Sequence, residues 1–139
     1  MQLQSTIFAT ALATTLALCG AASAQDTAFG ESLFSEKCAI CHGPAGDGDG
    51  PIAELFKETP VSLRQISLRN DGVFPFGDVY AAVDGRREIQ AHGTLTMPVW
   101  GDAFTVEALP KTFHPGVEAE DIVQARILAL VYYLQSIQE

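Results

Sequence analysis

Apolar and polar positions divide the chain into segments of different period. Residues Ile7 to Ala22 are almost wholly apolar or small, without the alternation of an amphipathic element. From Ala28 to Cys38 the pattern turns helical: Gly30, Phe34 and Cys38 recur every four residues, and Phe29 and Leu33 widen their face. The strongest periodicity runs from Ala119 to Gln138. There Val123, Ile127, Leu130 and Leu134 step by four, three and four, and Tyr133 and Ile137 flank the stripe. Glu118, Glu120 and Asp121 sit where the positive end of that helix favours carboxylates. Between these two helices the pattern predicts shorter ones. Phe76 to Asp84 is apolar through Val79, Ala82 and Val83 and closes at Gly85. Ile52 to Lys57 predicts a short helix ending before Pro60. Val61 to Arg69 predicts another, with Leu63, Ile66 and Leu68 partly inward. Gly43 to Pro51, GPAGDGDGP, holds too many glycines and prolines for a helix or a central strand. Gly101 to Gly116 is expected to be a long loop, a place where partner recognition is often built.

The first segment ends in Ala22-Ser23-Ala24, an A-x-A cleavage pattern followed by Gln25 and Asp26. Residues 1–24 are therefore expected to be a secretory signal peptide, and 25–139 a single domain. No Lys or Arg precedes the apolar run, which departs from the usual pattern. A membrane anchor would need about 20 apolar residues, and the run falls short. A lipid-anchored Cys19 would want a small residue where Leu18 stands. Every charged residue lies after Ala24, so the mature part carries the full net charge of −9. Such a chain has nothing with which to neutralise phosphates, which argues against nucleic acid. It suits a partner with a basic face. Without a further long apolar run, the mature chain is not expected to insert stably in a membrane.

The chemistry concentrates in Cys38-Ala39-Ile40-Cys41-His42, "CAICH". Structural zinc would need further ligands, and only His92 and His114 remain, with no histidine-pair spacing. A thioredoxin-like pair would open a helix after a strand, whereas Phe29 to Lys37 looks helical. Cys-x-x-Cys-His is the attachment pattern of c-type haem. Two thiols about one helical turn apart can add to the two vinyl groups of one porphyrin, and His42 then lies under the iron. His92, Met97 and His114 are the candidates for the opposite iron face. Met97 stands in Thr96-Met97-Pro98-Val99-Trp100-Gly101, where Pro98 keeps it out of helical geometry. Such a loop can present a thioether inward; a gap-filling core methionine is the alternative. Trp100 can shield a haem edge and offer its N–H to a propionate. Arg86 or Arg87 can pair with a propionate or remain solvated. Asp47 and Asp49 invite calcium, but the later Glu of a calcium loop is missing.

The haem string, the glycine-rich loop after it, the Met-Pro-x-Trp-Gly loop and the final helix together resemble a class I bacterial cytochrome c over most of 26–139. The resemblance implies an all-α cytochrome c fold. Its N- and C-terminal helices cross at a small residue, and short helices and loops wrap one covalent haem c. It implies thioether bonds to Cys38 and Cys41 and iron ligation by His42 and Met97. It also implies a hydrogen bond from His42 to the carbonyl of Pro51, which would set the imidazole's tautomer. The function expected is a periplasmic carrier of single electrons between redox partners, and not an enzyme. A haem-based sensor of small ligands and a dedicated haem subunit of a periplasmic oxidoreductase complex are the alternatives. A peroxidase-like enzyme would need an open iron, with His92 its sole nearby acid–base group.

Overall fold

The computed structural model describes residues 20–86, 97–109 and 116–139. Residues 1–19 of the expected signal segment, with Cys19, lie outside the described residues, as do Arg87, His92 and His114. Helix α1 spans Gly20–Lys37, and a one-turn α2, Ala39–His42, follows it with a bend at Cys38. The expected cleavage position after Ala24 falls inside α1. Helices α3 (Phe76–Asp84), α4 (Trp100–Ala108) and α5 (Ala119–Ser136) complete the framework. No strand occurs among the described residues, so the expected all-α class holds.

The long terminal helices cross, and Gly30 lies at the crossing. A Cβ there would run into the carbonyl of Ala129 and lie 2.7 Å from Cβ of Tyr133. The missing side chain lets the two backbones meet. Phe34 packs its ring 5.2 Å from that of Tyr133, and Leu33, Leu130 and Leu134 close around them. Burying side chains of this size contributes about 1.5–3 kcal/mol each. Helix α5 begins with a reciprocal cap: Glu118 accepts from the backbone of Asp121, whose carboxylate accepts from Glu118 N–H at 3.0 Å. Beyond the stripe seen in the sequence, Ala129, Val131 and Tyr133 are buried too. The helix is covered by α1, α3 and α4, not on one face alone.

Two expectations about the middle of the chain are corrected. The first nine residues from Trp100 are helix, not loop. Gly101, Phe104 and Ala108 follow helical spacing and all are buried. Glu107 ties the helix down with ion pairs to Lys37 of α1 (2.8 Å) and Arg126 of α5 (2.9 Å). The Arg126 guanidinium also lies 5.3 Å over the Phe104 ring. The expected helices at 52–57 and 61–69 shrink to single 3₁₀ turns, Ala53–Leu55, Leu63–Gln65 and Leu68–Asn70. In the second of these segments the C-terminus supplies polar partners in place of helical backbone bonds. The Gln138 side chain accepts from Ser67 N–H at 2.9 Å and donates to the Leu63 carbonyl at 2.8 Å. Leu68, expected partly inward, is exposed. Helix α3 runs over its expected residues, and Gly85 ends it at φ +67°, donating to the Ala81 carbonyl at 2.9 Å.

Candidate cofactor site

Helix α2 continues from α1 through backbone bonds, Cys38 N–H to Phe34 at 2.8 Å and His42 N–H to Cys38 at 2.9 Å. One helical turn therefore sets Cys38, Cys41 and His42 on neighbouring positions. Both thiols are free and half-buried. Burial, and then the neighbouring Cys41, pushes the Cys38 thiol up to about 12, so it is protonated at neutral pH. Burial likewise pushes the His42 imidazole below its ordinary value and favours the neutral ring that can bind a metal. The Val61 carbonyl pulls weakly the other way, without completing a hydrogen bond to Nδ1, which is buried and has no partner.

The glycine-rich loop holds α2 from behind. Gly48 N–H donates to the His42 carbonyl (2.8 Å), Gly50 N–H to Cys41 (3.2 Å) and Ile52 N–H to Ile40 (3.2 Å). A side chain at Gly50 would strike the backbone of Ile40 and Cys41. Glycine is required there by contact, not by dihedral angle. Pro51, the next residue, is exposed. Its carbonyl does not accept from His42 Nδ1, so the expected pairing is not formed.

Two adjoining cavities meet at α2. The inner one, about 120 Å³, is walled by Phe34, Val79, Val83, Leu130 and Leu134. The outer one, about 360 Å³, is walled by Ile40, Phe56, Pro60, Val61 and Trp100. Cys38, His42 and Met97 line both. Met97, 55 positions after His42 in the chain, thus reaches the same space. Trp100 borders the outer cavity with Phe104 behind it, ring centroids 5.9 Å apart. Arg86 does not join this group. It pairs with Asp84 and with Glu120 at 2.6 Å. Asp47 and Asp49 form no metal cluster, and none occurs among the described residues.

An apolar slot, two free thiols, a neutral imidazole with an orphaned buried nitrogen and a thioether sulfur suit a flat apolar ring that carries a metal. Val61 and, behind Trp100, Phe104 of α4 also belong to this neighbourhood, outside the motifs named from the sequence. The spacing of Gly101, Phe104 and Ala108 was a usable signal for α4, weakened by a glycine and the β-branched Thr105 and Val106. A family model described as Cytochrome c matches residues 27–138. No curated protein and no solved structure matches the chain.

Proposed function

The chain belongs to the cytochrome c family, and on that premise we propose that it is an exported single-haem electron carrier ligated by His42 and Met97. Membership makes it a haem-binding electron carrier with redox partners. The bound haem would supply reversible one-electron exchange at its iron. Everything else falls to the chain. Cys38 and Cys41 would hold the group through thioether bonds. His42 would offer its imidazole from one side and Met97 its sulfur from the other. Phe34, Val83, Leu130 and Leu134 exclude water from the inner cavity. A low dielectric there disfavours the extra charge of the oxidised iron, as methionine ligation also does, and both raise the potential. Trp100, which borders the outer cavity, would cover the outer edge.

The observation that carries this reading is the sharing of Cys38, His42 and Met97 by both cavities. The A-x-A pattern at 22–24 supports export to the periplasm. The net charge of −9 supports a partner with a basic docking face. No helix among the described residues is long and apolar enough to cross a membrane. The test is the absorption spectrum of the matured protein, oxidised and reduced, with carbon monoxide added to the reduced form. A c-type spectrum with the weak red band of ferric sulfur ligation, unmoved by carbon monoxide, is expected. A shift with carbon monoxide would replace the carrier by a ligand-sensing protein.

A further inference from the structure

Met97 sits two residues before a corner where three distant parts of the chain meet. Helix α3 ends at Asp84, and Gly85 turns with positive φ so closely against Val99 that a Cβ would lie 3.2 Å from the Val99 Cα. Two residues after Val99, the chain meets the two neighbours of Gly85. Gly101 lies so close to the Asp84 carboxylate and the Arg86 side chain that neither leaves room for a Cβ. The chain thus leaves this corner at Arg86 and is back against it at Val99 to Gly101.

Arg86 locks the corner. Its Nε donates to Asp84 on its own segment. Its two terminal nitrogens fork onto Glu120, in the first turn of α5, at 2.6 and 2.9 Å. Glu120 is steadied in turn by Gln124 Nε2 at 3.1 Å. A guanidinium with all three nitrogens engaged has a defined orientation, and a two-point pair fixes direction as well as distance. The side chain is only 26% exposed, so salt screens it less than a surface pair.

We infer that Arg86 is a positioning residue for Met97: clamped between Asp84 and Glu120, it seats Gly101 and Val99 and so holds the Met97 loop over the cavity shared with His42. The inference rests on the His42–Met97 reading above. Without the clamp, the loop after Pro98 would keep its packing through Trp100 and Phe104, but its Met97 end would be free to swing away.

The test uses the full chain with haem attached, as Glu120→Gln and Arg86→Ala variants. Both are expected to keep helical circular dichroism and doubly attached haem. Both should lose part of the red ferric sulfur band. Their reduced forms should bind carbon monoxide with about a tenfold gain in apparent affinity, because the open population rises. Arg86→Lys should recover only part of the band, since an ammonium cannot fork onto a carboxylate. Glu120 is half-exposed, so Glu120→Gln gives the answer even if Arg86→Ala fails to accumulate. Variants that melt lower yet keep the band and exclude carbon monoxide like the parent would reduce Arg86 to a structural brace and overturn the inference. A parent that itself lacks the band and binds carbon monoxide would sink the Met97 reading first, and the inference with it.

Discussion

The two walls of the site are built differently. On the His42 side, the thiols, the imidazole and the loop behind them come from one continuous stretch, 38–52, joined by backbone hydrogen bonds. On the Met97 side, the corner is assembled from residues 84–86, 97–101 and 120, and side-chain charges hold it together. Backbone bonds within a short segment form with little loop-closure cost and tolerate most side chains. Side-chain clamps between distant segments depend on a few named residues. A wall of the first kind suits permanent attachment. One of the second kind can open when a single pair is broken.

The comparison can be broken from either side. The largest effect is expected on the contiguous wall. In Gly50→Ala the new Cβ meets backbone, which cannot move aside, so the loop should detach from α2. The variant should lose on the order of 4 kcal/mol and most of its haem-loaded yield, read by denaturant melts and haem staining. Cys38→Ala should leave haem on one thioether; two normal bonds in that variant, seen by mass spectrometry, would refute the assignment.

Behind the other wall, Phe104 is completely buried. Phe104→Ala should cost about 3–5 kcal/mol in a thermal or urea melt, and a change near zero would return 101–108 to the loop expected from sequence. Met97→Ala should cost less stability but change function more selectively: a lower reduction potential and access to carbon monoxide, with attachment intact. An unchanged potential would count against Met97.

Acid provides the gentlest test. Hydrogen bonds from Arg86 first, and from Gln124, hold the Glu120 carboxyl at about 2, against an ordinary 4.5. On acidification the unfolded chain takes up that proton before the folded one. The clamp's contribution is therefore full above 4.5 and is lost as pH falls toward about 2. Melting curves of the parent and Glu120→Gln should converge over that window. At neutral pH the two should differ only slightly, as befits a solvent-exposed carboxylate.

The residues of the contiguous wall could be read in order. Cys-x-x-Cys-His is local chemistry, the glycine run is local turn chemistry, and the four-residue spacing of Gly30, Phe34 and Cys38 is local periodicity. The same holds for the stripe of α5 and for α3, which closes at Gly85 as expected. Each depends on neighbours within a few residues, where spacing along the chain and spacing in the fold coincide. The sequence also marked Met97 and Trp100 by their loop, and the structure brings both to the cavities.

What tertiary structure alone decided depends on contacts across the chain. Helix α4 exists because Phe104 finds the core and Glu107 finds Lys37 and Arg126, none of which is near it in sequence. The segment at 61–69 stops at single turns where Gln138 takes over polar groups of Leu63 and Ser67. Gly50 lies tight against the α2 backbone, and the Pro51 carbonyl after it does not pair with His42 Nδ1. From sequence Arg86 reads as a solvated charge before a propionate partner; in the fold Glu120, 34 positions away, claims it. By itself the sequence marked the atoms proposed to hold a haem. The fold decided how firmly each is held, because that depends on partners that only packing brings within hydrogen-bond reach.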